Sequence, residues 1–529
     1  MQDFPMFRVG DDMTALTQIS VQLRRYWRDY LAAFVIALVL YVISAAPGVL
    51  WQDSGMAQIR VLRGDITGEY GLALSHPLYY LIAMGFQYLP FADSAYKTNL
   101  VAAIFGAITI ANLYLFLLLS TRHRFGSALG ALALLVAHTF WQHCAIAEVY
   151  TISTTLLTVE LLCLQQYIAT GHSRWLAGMF FANGLSISNH MVASLSLACY
   201  GAWCIRLIFL RRLHFKTMIW CMLVWLAGAS IYIALIAQAI LDGTPPLDAL
   251  LSACIGDYGN NVLNTRITPQ LLMNSLLYIG MNFPSPLLLV VIPGFIAVWR
   301  QNPDWRFILF SLLAIHTLWA ARYNVPDQYT FFIPTIVILA IFIGFGCARL
   351  LNKPSKGRAA TLLLCAMLPP IVYFFLPELA RKAGISKGLD RDMPFRDGYA
   401  YFLQPWKTGY DGPWKFAEDV QTRLPKDSVL FCDSTAVRPL HYAALLGRWR
   451  MDLRVYPPLD SNPTIDLAFE EPALTQALRD GRVFVLTPRK GYCPKWLLDG
   501  YEMKKIGYLH QVIGRRHECP GKPSGDDSS

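Results

Sequence analysis

Seven side chains in this sequence have types and positions suited to chemistry: Asp53, His76, Glu148, Tyr150, His190, Arg322 and Asp327. Each stands where a long apolar run begins or ends. Charge near a membrane interior is costly, so it tends to be paired or functional. A carboxylate such as Asp53 can act as general base towards an acceptor hydroxyl. An arginine such as Arg322 can hold a phosphate through charge-assisted hydrogen bonds. Each position also has a structural reading. Asp53-Ser54 ahead of GMAQIRVLRG is good helix-capping chemistry. His76 before Pro77 reads as a turn histidine, and Glu148 is favoured by the dipole of the helix it opens. Arg322 and Asp327, within RYNVPDQY, can pair with each other, and Asn189-His190 sits at a turn between two apolar runs.

The elements that must position these groups follow from composition. The chain has 529 residues, 55% of them hydrophobic and 15% charged, with a mean hydropathy of +0.39. A soluble protein carries about 25% charged residues, so much of this one is dissolved in lipid. A helix needs about 20 apolar residues to cross the hydrocarbon core. Candidate spans are 31–50, 97–119, 126–143, 149–169, 175–190, 192–210, 217–241, 286–299, 306–320, 329–349 and 360–377. With these about eleven spans alternating, Arg24, Arg25, Arg28, Arg122, Arg124, Arg174, Arg211, Arg212, Lys216, Arg300, Arg306, Lys353, Lys356 and Arg358 all fall on one side. That side is cytoplasmic by the positive-inside rule. The N-terminus is then cytoplasmic and the C-terminal region extracytoplasmic, and the source is expected to be a bacterial inner membrane.

The net charge is +10, and residues 1–377 hold 22 Lys and Arg against 15 Asp and Glu. The excess belongs to basic cytoplasmic loops, and no aromatic-basic interleaving of the kind that binds single-stranded nucleic acid occurs. Segments 51–96, 141–148, 242–285 and 321–328 share the external face. The first opens on WQDSGMAQIRVLRGDITGEYGLALSHPLYY, with carboxylates at Asp53, Asp65 and Glu69. HPLYYLIAMGFQYL is too short to span and is expected to form an interfacial or re-entrant helix. Segment 242–285, with Pro245-Pro246 and GDYGNNVLNTR, reads as an external loop.

After Pro377 the composition changes. Strand-like runs at Ser428–Asp433, Leu453–Tyr456, Arg482–Thr487 and Tyr508–Ile513 predict a small α/β domain, and GKPSGDDSS predicts an unstructured tail. The expected fold is mainly α: a polytopic helical bundle over residues 1–377, then an extracytoplasmic α/β domain over 378–529. The eleven cysteines form no CxxC pair or metal-ligand spacing, so no metal is expected. Without a Gly-rich phosphate loop, GxSxG elbow or HExxH, a cytosolic nucleotide-sugar or ATP site is unsupported.

In order, these motifs resemble the GT-C-fold integral-membrane glycosyltransferases. The likeness is closest to a family formerly catalogued as a domain of unknown function, which includes animal protein O-mannosyltransferases acting on receptor ectodomains. The matching pieces are Trp51-Gln52-Asp53-Ser54-Gly55, His76-Pro77-Leu78-Tyr79, Phe140-Trp141 with Glu148-Val149-Tyr150-Thr151, Gly184-Leu185-Ser186-Ile187-Ser188-Asn189-His190, and Val325-Pro326-Asp327-Gln328-Tyr329. YFLQPWK, LPKDSVLFCDSTAVRPL and HYAALLGRWRMDLRVYPP add a likeness in the tail. Met56 stands where the family usually shows an acid, and the usual His-Pro-Pro-Gly-Tyr-Pro is shortened here to His76-Pro77-Leu78-Tyr79-Tyr80.

The resemblance implies a polyprenyl-phosphate-linked sugar donor, an extracytoplasmic protein, lipid or glycan acceptor, and an external site. It implies Asp53 as general base of an inverting transfer, with no cofactor besides the donor. His76, Glu148, Tyr150, His190 and Asp327 would line the substrate site, and Arg322 would hold the phosphate. The alternatives are a transporter or flippase for a lipid-linked saccharide, and a non-catalytic membrane assembly protein. The charges gather at one face without a repeat, which disfavours the transporter.

Overall fold

The computed structural model describes residues 12–68, 70–256, 268–385, 389, 391, 393–457 and 472–516. Glu69, most of GDYGNNVLNTR and the tail GKPSGDDSS lie outside the described residues. The chain forms two compact units. One comprises Met1–Ala46, Gly64–Asp390 and Gly398–Gly409; the other comprises Pro47–Arg63, Arg391–Asp397 and Tyr410–Ser529.

The first unit is helical because lipid offers backbone groups no partner, and a helix satisfies them within one segment. Its elements are α1 (Asp12–Ser44), α3 (Pro77–Gln87), α4 (Ser94–Thr121), α5 (Arg124–Leu135), α6 (His138–Cys144), α7 (Tyr150–Thr170), α8 (Ser173–Asn189) and α9 (Ala193–Phe209). They continue as α10 (Phe215–Gly228), α11 (Ser230–Leu241), α12 (Pro246–Ile255), α13 (Pro269–Asn282) and α14 (Val291–Trp299). Then come α15 (Pro303–Arg322), α16 (Ile333–Leu350), α17 (Lys356–Lys382) and α18 (Gly398–Leu403). Helix α2 (Gln52–Arg63) belongs to the second unit.

Every predicted apolar run is helical, but not every one is a straight span. Among the described residues, five helices are long and apolar enough to cross a membrane, or up to eight if each bent pair is one span. The bends are 70° between α5 and α6, 66° between α10 and α11, and 104° between α13 and the segment Pro286–Trp299. The runs at 175–190, 192–210 and 306–320 form α8, α9 and α15 without meeting that test. The figure of eleven spans is therefore approximate, because apolarity survives a break that ends a straight helix.

The core is built around α16, which packs against α5 and α14, and around α4, which packs against α1 and α7. Polar contacts cross the helices too. Thr109 Oγ1 lies 3.1 Å from Thr154 Oγ1 and 3.0 Å from Thr155 Oγ1, and Asn112 Nδ2 donates to Thr158 Oγ1 at 3.2 Å.

The sharpest ionic node is Asp304 at the start of α15, fully buried. Its Oδ1 accepts from Arg206 (2.8 Å) and from the Trp203 indole (3.1 Å), and its Oδ2 accepts from Arg212 at 2.8 Å. These bonds tie α9 and the turn after it to α15. Asp304→Ala leaves those donors without their acceptor. It is expected to cost about 3 kcal/mol, read as a lowered Tm of the detergent-solubilised chain.

The second unit holds a five-stranded sheet in the order β2-β1-β3-β5-β4, formed by β1 (Val429–Phe431), β2 (Arg454–Tyr456), β3 (Val483–Val485), β4 (Tyr501–Ile506) and β5 (Leu509–Arg515). β1 pairs in parallel with β2 and β3, while β5 runs antiparallel to β3 and β4. Three strands fall within the predicted runs, and β5 starts in the fourth run and continues two residues past it. β4 was missed because its outer positions are Glu502, Lys504 and Lys505, charged as an edge strand requires. Its helices are α2, α19 (Gly412–Arg423), α20 (Ser434–Leu445), α21 (Pro472–Arg479) and α22 (Lys495–Gly500).

Candidate active site

In the first unit, helix ends gather the histidines and Tyr150. His76 is the N-cap of α3 in the left-handed region (φ 50°), followed by Pro77 at the first helical position. Its Nδ1–H donates to the Asn189 carbonyl at 2.8 Å, and its ring stacks on His190 with centroids 4.8 Å apart. A non-glycine residue held at positive φ is strained backbone, which clusters at functional sites. His190 caps the C-terminus of α8, and its Nδ1 accepts from the Val192 N–H at 3.1 Å. The two rings thus use Nδ1 in opposite senses, as donor in His76 and as acceptor in His190, which puts the His190 ring proton on Nε2. An Nε2–H of this kind can donate to a sugar hydroxyl.

Asn189 fixes this corner. Its Nδ2 donates to the Val149 carbonyl (2.9 Å) and to Ser153 Oγ (2.8 Å), tying the end of α8 to the start of α7. Tyr150 begins α7, 5.4 Å from the His190 ring and 5.3 Å from that of His143. The Thr330 hydroxyl lies 3.2 Å from Tyr150 Oη and 2.9 Å from the Asp327 carbonyl, linking this cluster to the predicted VPDQY stretch. Glu148 is half-buried just ahead of Tyr150. Arg322 is exposed in the last turn of α15, and Asp327 caps the 3₁₀ turn Gln328–Phe332.

Glu160 and His316 in the same unit, like His143, escaped the sequence reading. Tyr150, Ser153, Glu160, Ser186, His190, and His316 line a cavity with ≈ 30 Å³ of room for water centres. That is enough for water but not for a sugar ring. Glu160 is buried in α7, accepting from Tyr200 Oη (2.9 Å) and Asn183 Nδ2 (3.3 Å). His316 Nε2 lies 3.0 Å from Ser196 Oγ. A single carboxylate in the middle of a span was the available signal.

Asp53 lies in the second unit, in the first turn of α2, where the helix dipole favours negative charge. The entry to α2 is fixed on both sides. The buried Trp51 donates its indole N–H to Tyr410 Oη at 2.6 Å and packs 5.6 Å from Phe416. The Leu50 N–H donates to Gln58 Oε1 at 2.9 Å, and Gln58 Nε2 donates to the Gly48 carbonyl at 3.3 Å. The expected amphipathic helix is present, but Asp53 lies inside it rather than at its N-cap. The Asp53 side chain reaches solvent, yet the protein mass around it raises its carboxyl above the ordinary aspartate value by desolvation, while Arg438 on α20 pulls it down.

Residues 66–217 match the sequence profile of the family described as the protein O-mannosyl-transferase TMEM260 N-terminal domain. The mouse protein O-mannosyl-transferase TMEM260 is 21% identical over 365 residues, 62% of this chain and 50% of that protein. This chain therefore spans about half the length of that relative. Among solved structures, apo ArnT from Cupriavidus metallidurans superposes with a TM-score of 0.52 at 16% identity, covering 92% of this chain and 98% of ArnT. The fold is thus the helical-bundle GT-C fold followed by a small sheet-containing unit.

Proposed function

We propose that this chain is a membrane glycosyltransferase that moves a sugar, mannose by its likeness to TMEM260, from a polyprenyl-phosphate donor to a hydroxyl of an extracytoplasmic protein. The observation that carries the reading is a coincidence of positions. The family match at 66–217 encloses His76, Glu148, Tyr150 and His190, the groups drawn together at one end of α3, α7 and α8. Asp53 takes the proton of the acceptor hydroxyl as that oxygen forms its bond to sugar C1. The bond from C1 to the phosphate oxygen breaks, and its electron pair leaves with the polyprenyl phosphate, giving inversion at C1. The leaving group is already an anion, so the catalytic burden falls on positioning and electrostatics. His76, His190 and Tyr150 orient sugar hydroxyls, and Arg322 holds the donor phosphate. The basic loops, cytoplasmic by the positive-inside rule, support an extracytoplasmic site for this chemistry.

The test is a donor-consumption assay on the full chain in detergent or nanodiscs. Polyprenyl-phosphate mannose labelled in the sugar and a Ser/Thr-containing peptide are the substrates. Label is expected to pass to the peptide with release of polyprenyl phosphate. Label that stays on the lipid while changing leaflet identifies a flippase instead, and label that does neither identifies an assembly protein. Arg322→Gln is expected to raise the donor KM roughly tenfold while leaving that of the peptide near wild type. An unchanged donor KM removes Arg322 from phosphate binding.

A further inference from the structure

Asp53 lies in the first turn of α2, and α2 lies along α20 within the same unit. The approach of the two helices has a specific cause. A Cβ on Gly55 would sit 2.3 Å from the Leu50 carbonyl oxygen and 2.9 Å from the Cβ of Arg438. Glycine at 55 is what lets α20 come in at Arg438. Arg438 itself is only 6% exposed, an unusual place for a guanidinium in a small α/β unit.

We propose that Arg438 is a positioning residue for the transfer: buried on α20 and brought beside α2 by Gly55, it sets its positive charge towards Asp53, the group that receives the acceptor proton. The inference rests on the reading of Asp53 as base. It gives the Asp-Ser-Gly motif a division of labour, with the aspartate as the proton acceptor and the glycine as the seat of the arginine. It also compensates in part for Met56. A base without a neighbouring carboxylate needs another device to set its charge, and a buried cation supplies one.

The groups around Asp53 make Arg438 the charge that matters. Arg60 and Arg63 lie in the last turn of α2, the nearer of them about 10 Å along the helix axis. His441, one turn beyond Arg438 on α20, is engaged by Nε2 with the Pro457 carbonyl at 2.9 Å. Tyr410 receives the Trp51 indole N–H. Burial raises the Asp53 carboxyl and Arg438 opposes it. Asp53 works only when deprotonated, so activity falls as pH drops through its pKa. Removing the opposing charge moves that fall to higher pH.

The experiment is the pH profile of kcat/KM for the full chain, with polyprenyl-phosphate mannose and a Ser/Thr peptide. Arg438→Gln is expected to displace the acid limb upward by roughly one pH unit. Arg438→Lys, which keeps the charge, is expected to leave the limb within a few tenths of a unit of wild type. Gly55→Ala pushes α20 away and is expected to move the limb in the same direction as Arg438→Gln. It carries the test if the Gln protein does not accumulate in membranes. An acid limb that stays put in both Arg438→Gln and Gly55→Ala, or that moves as far in Arg438→Lys as in Arg438→Gln, overturns the role of Arg438. Asp53→Asn separates the two layers: if it is inactive while the limb stays put, only Arg438 is misassigned, whereas an active Asp53→Asn removes the base itself.

Discussion

Asp53→Asn is expected to lower sugar transfer by about 10²–10⁴-fold, the usual share of a positioned general base, with little change in either KM. Asparagine has the size of aspartate and keeps its hydrogen-bonding reach, but it cannot take up a proton at working pH. The anchors of α2 do not involve the carboxylate. Trp51 is held by Tyr410 and Phe416, and Gln58 bonds to the backbone at Leu50 and Gly48. The substitution should therefore leave the helix seated, and an unchanged Tm would confirm that the loss is chemical. Transfer within a few-fold of wild type by a folded, inserted Asp53→Asn protein would refute the assignment. Glu148, the carboxylate just ahead of Tyr150, would then be the one to remove next.

The bundle was legible because its physics is one-dimensional: apolar runs of sufficient length must be helical in lipid, and every such run is. Bends were not legible, since α5 and α6 read as one apolar stretch although the chain turns by 70° between them. The histidine cluster was half legible. His76 and His190 could be placed on one face from topology, but their stacking depends on His76 adopting a left-handed backbone and on Asn189 pinning the end of α8, neither of which composition reveals. Nothing in the sequence showed that the stretch beginning at Pro47 groups with residues 410–529, a pairing separated by more than three hundred residues. That pairing gives Asp53 its arginine.

Gly184→Val is expected to have the second large effect, on folding and activity together. Where α8 crosses α10, a Cβ on Gly184 would lie 2.3 Å from the Trp225 carbonyl oxygen and 3.0 Å from the Cα of Gly228. Backbones meeting this closely are how helices associate in a membrane, where lipid removes the hydrophobic drive between them. Valine adds three carbons at a point already closed by backbone, so the helices must separate, at a cost of about 3 kcal/mol or more. Separation also breaks the bond from the Trp225 indole to Asn183 Oδ1 (3.0 Å), and Asn183, with Tyr200, is a donor to Glu160. Five residues further on α8 ends at Asn189, with His190 as its C-cap, so a shift of this helix moves the imidazole stacked on His76. The matched control is Gly201→Ala on α9, where no atom lies within 4 Å of the added carbon; there the helix should be neutral or gain up to about 1 kcal/mol. Thermal unfolding in detergent followed by the transfer assay reads both effects. A Gly184→Val protein as stable and as active as Gly201→Ala would mean that the α8–α10 crossing does not hold the histidine corner in place.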